Sequence, residues 1–394
     1  MPEIVGERWI KSFVGTRGPY GTTDGVALKT EELEGARRLQ GVDVKWADAV
    51  EPRHQDGWIA GEREVSLLWS ELTGGGLAAV NPEVHPQYAE RIAAVDSFRI
   101  AALRAREAKA QGDTFYRSGK LESGPAKGEP LDTAKARPAI QLNEAEKLAA
   151  CAKARVDPES IGVAFANLCH RGEFYTALIP KDAVRDVYLM LESFPAPVPA
   201  AHAMLRFALD DDKPAVLVPQ NGLGDGKQYQ LSDLVFSSEA LGQPGWKYDL
   251  VRGQKGHFGL VDRFESLEDR FRHVESYSPK HPVSLHRIAL SDEEKQDVLS
   301  ASVLLSEERG FSATYNTLAR SCTTEAFLAL DRGVGDDLPL HVKLGRIVTG
   351  ERIPTASPTY LALRGLVPKG EKPTLLSDEM ASAPRPATER VFVD

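Results

Sequence analysis

Cys322 is the residue of this chain whose position best suits nucleophilic chemistry. It begins a segment, residues 322–330, whose apolar residues recur at helical spacing, and Ser321 or Thr323 can cap its start. A thiol at a helix N-terminus lies at the positive end of the helix dipole and near free N–H groups, and both favour the thiolate. Because the thiolate is the nucleophilic form, the sequence predicts that Cys322 is a catalytic nucleophile if a histidine reaches it. The alternative is a buried cysteine that only fills the core.

His202 is the histidine that we expect to act as the base. It opens a segment, residues 202–209, in which apolar residues alternate as in a β-strand, and a turn rich in proline and alanine precedes it. A cysteine and a histidine that are distant in sequence but adjacent in the fold form the reactive pair of papain-like enzymes. Arg206 lies on the same face of this strand, where we expect it either to bind an anionic substrate group or to form a structural ion pair.

The segment Arg185–Leu366 resembles the N-terminal extracytoplasmic domain of the Lnb-type lipoprotein intramolecular transacylases. In that family a strand opens with a histidine and an "LRF"-like run, and a later "YN…NC" motif leads into a helix. The corresponding residues here are His202 with Leu205–Phe207, and Tyr315–Asn316 with Ser321–Cys322. The family is related, by circular permutation, to the NlpC/P60 and LRAT-like enzymes. The resemblance therefore implies an α+β fold: a permuted papain-like core in which an antiparallel sheet carrying the histidine packs on the helix led by the cysteine.

The resemblance also implies a reaction. Cys322 would accept an acyl group from a lipid, lipoprotein or peptidoglycan substrate, with His202 as base and with no cofactor. Gln220 stands where relatives often carry a glutamate, so Gln220 or Asn221 is expected to orient the imidazole, although Asn221 also begins a hairpin-turn signal. Arg206, Tyr315 and Asn316 are expected to contribute to substrate binding.

Two other classes of function remain open at this point. One is a peptidoglycan amidase or endopeptidase, including one delivered as a toxin. The other is a catalytically silent binding module. The relatives that transfer acyl groups carry further transmembrane helices that hold the lipid, and this sequence contains no apolar run of the length that a membrane span needs.

Composition and cysteine content narrow the range of partners. The net charge of −9 argues against binding to a nucleic-acid backbone, and no metal-binding motif such as CxxC or HExxH occurs. The first ten residues lack the apolar core of a secretory signal, whereas the family is extracytoplasmic, so the compartment stays open. In an oxidising compartment Cys151 and Cys169 could pair and leave Cys322 free.

The chain is long enough, at 394 residues, for two or three domains. We expect a mainly helical region over residues 1–140, with a delivery or adaptor partner and no recognisable motif. Its last part, residues 112–140, is rich in Gly, Pro and Lys and is interpreted as a linker or an ordered surface excursion. The thiol domain is expected over residues 141–369, and residues 370–394 are expected to form a tail.

Overall fold

The structure is a computed structural model, and it describes several separate segments of the chain. These are residues 113–133, 136–194, 201–220, 227–243, 248, 250–277, 279–317, 320–335, 354–368 and 370–390. Apart from Ser276 and Tyr277, they belong to one compact unit made of Gln111–Glu275 and Pro279–Asp394. Most of the region predicted to be mainly helical, residues 1–112, lies outside the described residues, and so does Asn221.

The predicted α+β class is confirmed: a 12-stranded, mostly antiparallel sheet is combined with seven helices in the described part of the chain. The strands are β1 Ile140–Gln141, β2 Ile161–His170, β3 Glu173–Pro180, β4 Val184–Ser193, β5 Ala201–Leu209, β6 Ala215–Pro219, β7 Gln228–Leu231, β8 Asp233–Leu241, β9 Gly259–Ser266, β10 Val283–Ile288, β11 Thr374–Leu375 and β12 Thr388–Arg390. Their spatial order is β11-β10-β4-β5-β8-β9-β2-β3-β6-β7-β12, with β1 beside β2. The pair β2–β9 is parallel, and the other pairs are antiparallel.

The helices lie between and after these strands. They are α1 Glu144–Ala154, α2 Leu250–Gln254, α3 Leu267–Glu275, α4 Asp292–Arg309, α5 Cys322–Val334, α6 Ser357–Leu363 and α7 Leu376–Ser382. None of them combines the length and the apolar character that crossing a membrane requires.

Strand β5, which carries His202, is buried along its whole length. Leu205 and Phe207 belong to the main core together with residues of α4 and α5, whereas Met204 belongs to a second core that includes residues of α3. Alternate residues of a strand point to opposite faces of the sheet, and both faces are covered here. The apolar character of nearly every residue in β5 follows from that double coverage.

Helix α5 approaches α4 very closely at Gly333. A Cβ atom at this position would lie 2.5 Å from the Cα and N atoms of Val298, which is shorter than side-chain contacts allow. Phe327 of the same helix packs edge-on against Tyr360 of α6, with ring centroids 5.1 Å apart. These contacts fix the axis of α5, and hence the position of its first residue, Cys322, against the sheet.

The Gly/Pro/Lys-rich stretch before residue 140 packs against the sheet, so its interpretation as a linker is wrong. Leu121 and Leu131 are buried in one cluster with Leu241 and Val261 of the central strands. The compact unit therefore begins at Gln111 rather than near residue 141. The sequence hides this because the apolar residues of the stretch are few and follow no helix or strand period.

The expected tail also carries secondary structure, because β11, α7 and β12 all lie within it. Strands β11 and β12 stand at opposite ends of the strand order, ten steps apart, which in a flat sheet would correspond to roughly 48 Å. The chain from Leu375 to Thr388, which includes the seven-residue helix α7, can span at most about 31 Å. The sheet must therefore curl so that its ends approach each other.

Candidate active site

Cys322 is the first residue of α5 and is buried, with 4% of its surface exposed. The backbone N–H of Ala203, on β5, points at its sulfur with an N···Sγ distance of 3.5 Å. The hydroxyl of Thr323 lies 3.9 Å from the same sulfur. The thiol is therefore surrounded by hydrogen-bond donors as well as by the start of the helix, an environment that favours the thiolate.

His202 is the second residue of β5, next to Ala203, and its imidazole interacts with the Cys322 side chain closely enough for each group to shift the pKa of the other. The structure thus brings together the two residues that the sequence singled out, although 119 positions separate Ala203 from Cys322 in the chain. The pair meets because α5 packs on β5 and begins near the first residues of that strand.

The other side of the imidazole is held by two residues of β8. Nε2 of His202 lies 2.8 Å from Oγ of Ser237, and Oγ of Ser237 donates to Oε1 of Glu239 at 2.8 Å. Since the single hydroxyl proton of Ser237 goes to Glu239, the Ser237 oxygen accepts, and Nε2 of His202 must carry a proton. The carboxylate itself lies 3.6 Å from Nε2, close enough for an ion pair but mediated by the hydroxyl.

Arg270 of α3 is buried and fixes this carboxylate. Its Nη2 atom donates to Oε1 of Glu239 at 2.8 Å, and its Nε atom donates to Oε1 of Glu265 at 2.6 Å. A third carboxylate, Glu192, lies 3.6 Å from Nη1. Burial alone would lower the pKa of Arg270, but the three carboxylates outweigh it and raise that pKa. Glu239 therefore stands in a charge network that keeps it ionised beside the imidazole.

The charges of the pair follow from these contacts. Burial alone would raise the pKa of Cys322, but the positive charge and hydrogen bond of His202, together with the Ala203 N–H, hold it below the ordinary thiol value. Burial alone would lower the pKa of His202, but Cys322 and Glu239 raise it to about 10. The pKa of Glu239 is held well below its usual range, since His202 and Arg270 outweigh its burial. These contacts favour a thiolate beside an imidazolium.

Gln220 does not take part in this arrangement, and its expected role as orienter of the imidazole is wrong. Its side-chain amide donates to the carboxylate of Asp113, at 2.9 and 3.1 Å, and its oxygen accepts from the backbone N–H of Asn167 at 2.7 Å. Gln220 follows β6, and four strands stand between β6 and β5 in the sheet. Gln220 is therefore distant from His202 in space, although it follows the next strand in the sequence.

Arg206 forms the structural ion pair rather than a substrate contact. Its Nε atom donates to Asp233 at 2.8 Å, and its two terminal nitrogens donate to the carboxylate of Glu379 at 2.9 and 2.6 Å. The side chain is 2% exposed, so the expectation that it binds a substrate is wrong. Because Glu379 lies on α7, this contact attaches the C-terminal helix to β5.

Tyr315 and Asn316 shape the loop that leads to Cys322. Tyr315 is buried, with its ring edge-on to Tyr248 at a centroid distance of 5.9 Å. The Asn316 amide donates to the carbonyl of Gln254 at 2.9 Å, and its backbone pairs with Arg320. Both residues have a clear role in positioning this loop, and a contact with substrate stays a prediction.

Cys151 and Cys169 are not joined by a disulfide in the structure. Within the described segments, no group of three or more His, Cys, Asp or Glu side chains is arranged to hold a metal ion.

The sequence reasoning missed Ser237, Glu239 and Arg270. One signal was available: β8 and β9 carry charged residues inside otherwise apolar strands, among them Glu239 and Glu265, and all of these side chains are buried. Buried charges of this kind concentrate at functional sites.

Comparisons of the chain with models of protein families, with curated proteins and with solved structures found no match. The resemblance to the Lnb-type family therefore stays a prediction from the sequence motifs.

Proposed function

We propose that the protein is a cysteine-nucleophile acyl hydrolase or acyltransferase that works through an acyl-cysteine on Cys322. The observation that carries the proposal is the place of Cys322 at the start of α5 against β5, where the Ala203 N–H reaches its sulfur and where the neighbouring His202 is held by Ser237 and Glu239. Nucleophilic catalysis needs a nucleophile beside a base, and a further group that orients the base.

The first half of the reaction forms the acyl-enzyme. The thiolate of Cys322 attacks the carbonyl carbon of an ester, thioester or amide, and the carbonyl electrons move to oxygen. The C=O bond then re-forms, the bond to the leaving group breaks, and His202 gives its proton to that group. Since Nε2 of His202 is engaged by Ser237, Nδ1 is the nitrogen that faces this proton transfer.

The second half releases the acyl group. Water or an amine attacks the thioester while His202 takes its proton, and the thiolate of Cys322 leaves. Water gives a carboxylic acid, and an amine gives an amide. Throughout the cycle Glu239 stabilises the imidazolium through the hydroxyl of Ser237.

A catalytically silent module is the less favoured alternative because of the cost of the site. Burying a thiolate and an imidazolium carries a large desolvation penalty, and a buried ion pair is weak as a source of stability. A raised histidine pKa beside a lowered cysteine pKa is typical of catalytic sites.

The resemblance to the Lnb-type family supports three further parts of the proposal. They are a permuted papain-like arrangement of the thiol domain, an acyl donor from a lipid or the cell envelope, and an extracytoplasmic place of action. A mainly helical N-terminal region with a delivery or adaptor partner belongs to the same proposal.

The direct test is trapping of the acyl-enzyme. The wild-type protein would be mixed with p-nitrophenyl acetate and p-nitrophenyl octanoate, and the acylated residue located by mass spectrometry of peptides. We expect one adduct, on Cys322, that is absent from Cys322→Ala and greatly slowed in His202→Ala. Cys151→Ala serves as the matched control because it removes another buried thiol and should leave the adduct unchanged.

The absence of any adduct on Cys322 would overturn the proposal, as would equal adduct formation in His202→Ala. A comparison of the acylation rates with the two esters shows whether the site prefers a long acyl chain. Addition of a primary amine separates hydrolysis from transfer, since only transfer yields the amide.

A further inference from the structure

The residue before the nucleophile, Ser321, has a backbone that is fixed by the first turn of α5. Its N–H donates to Oγ1 of Thr324 at 2.8 Å. Its carbonyl accepts from the same Thr324 hydroxyl at 2.8 Å and from the N–H of Glu325 at 3.1 Å. Ser321 occupies the N-cap position of the helix and is 3% exposed.

The hydroxyl of Ser321 is different: in the capping box it faces the Thr324 backbone N–H as an acceptor, and it makes no hydrogen bond of normal geometry, as donor or acceptor, among the described residues. A side chain in the N-cap position lies over the end of the helix where the first N–H groups have no intrahelical acceptor. Buried hydroxyls are normally hydrogen-bonded, so one without a partner in the residue that precedes Cys322 needs an explanation. It leaves an O–H donor at the N-terminal end of α5, in the residue next to the Cys322 N–H.

We propose that the Ser321 hydroxyl is a catalytic donor of the oxyanion site, acting with the backbone N–H of Cys322. The inference rests on the proposed function, because an oxyanion forms only if Cys322 attacks a carbonyl. When the C–S bond forms, the carbonyl oxygen becomes negatively charged and accepts hydrogen bonds from both groups. The electron pair on that oxygen then re-forms the C=O bond, the bond to the leaving group breaks, and the leaving group takes the bonding electrons and the proton from His202. Ser321 keeps its own proton throughout.

The test compares two reactions of the same sulfur. Alkylation by iodoacetamide displaces iodide and forms no oxyanion, whereas acylation by p-nitrophenyl acetate does. For Ser321→Ala we expect the maximal single-turnover rate of acylation to fall about 100-fold, while the rate of alkylation of Cys322 stays within about twofold of wild type. The ester concentration that gives half of the maximal rate should change little, since the donor acts on the transition state.

Two control variants accompany it. Ser321→Thr keeps a hydroxyl and should recover most of the acylation rate. Ser302→Ala removes another buried serine hydroxyl, one that donates to the Val298 carbonyl of its own helix at 2.7 Å, and should leave both rates unchanged. Thermal unfolding of each variant confirms that it is folded.

Each outcome has a definite meaning. An acylation rate of Ser321→Ala close to wild type overturns this inference and leaves the proposed function standing. Equal loss of alkylation and acylation overturns it as well, because Ser321 would then only position the sulfur. If Cys322 of the wild-type protein is alkylated but never acylated, the proposed function and this inference are both overturned.

Discussion

Replacing Glu239 by glutamine should move the pH range in which His202 stays protonated. The carboxylate of Glu239 lies 3.6 Å from Nε2 of His202, and both side chains are buried. At that distance, with an effective dielectric constant near 20, the attraction is about 4.6 kcal/mol, or roughly three pKa units. Measured shifts from a single opposite charge fall between about one and three units.

The direction of the change follows from the sign of the shift. The pKa of His202 is raised to about 10, so the imidazolium that protonates the leaving group persists up to that pH. Glu239→Gln removes a stabilising negative charge, so the proton leaves more easily. We expect the alkaline limb of acyl-enzyme formation to move from about pH 10 down by about one to three units.

The assay is the single-turnover acylation rate between pH 6 and 11, supported by NMR titration of the His202 ring. Glu265→Gln is the matched control, because Glu265 binds the same Arg270 without contacting His202. Both variants break a buried ion pair, which typically costs about 3–5 kcal/mol of stability, so their folding is compared first. An alkaline limb that stays near pH 10 in Glu239→Gln would refute the reasoning, as would an equal shift in Glu265→Gln.

Three further predictions concern the framework of the site. Burial and a neighbouring carboxylate raise the pKa of Asp262 to about 7, so its contribution to stability is complete below about pH 4 and is lost as the pH rises through 7. In the wild type this loss should lower the free energy of unfolding in urea by up to about 4 kcal/mol between pH 4 and pH 8, and Asp262→Asn should remove it. The same pH profile of stability in wild type and variant would contradict this prediction. Gly333→Ala should lower the free energy of unfolding by about 1–3 kcal/mol, because the added Cβ would meet Val298. An unaltered melting temperature would be inconsistent with the close packing of α4 and α5. Arg206→Lys should lose the two-nitrogen contact with Glu379 and destabilise by about 1–3 kcal/mol. Its rate of Cys322 alkylation should equal that of wild type, and a lower rate would return Arg206 to the site.

The proposed nucleophile and base could be singled out from the sequence because each carries a local signal. Cys322 leads a helix with regular apolar spacing, and His202 opens a strand with alternating apolar residues, so both positions depend on elements that the sequence predicts directly. Their contact required only that the helix pack on that strand.

The orienting group could not be found in the same way, because it depends on the order of strands in the sheet. Gln220 follows the next strand in sequence, yet β5 pairs with β8, so Ser237 and Glu239 lie beside the imidazole instead. Strand order is decided by long-range pairing, which leaves no local pattern. The packing of the segment after residue 370 was missed for a similar reason: its links to β5, from Glu379 to Arg206 and from Arg385 to the Leu209 carbonyl, cross the fold.

The most direct test of the ion pair at the site is the pKa of the Cys322 thiol, read from the rate of iodoacetamide alkylation at each cysteine across pH. If the pair is as described, Cys322 reacts with a midpoint below the ordinary thiol value in the wild type. In His202→Ala the midpoint should rise, since only the hydrogen bonds from Ala203 and Thr323 then oppose the effect of burial. A Cys322 that is inert, or that titrates identically with and without His202, would contradict the thiolate–imidazolium pair.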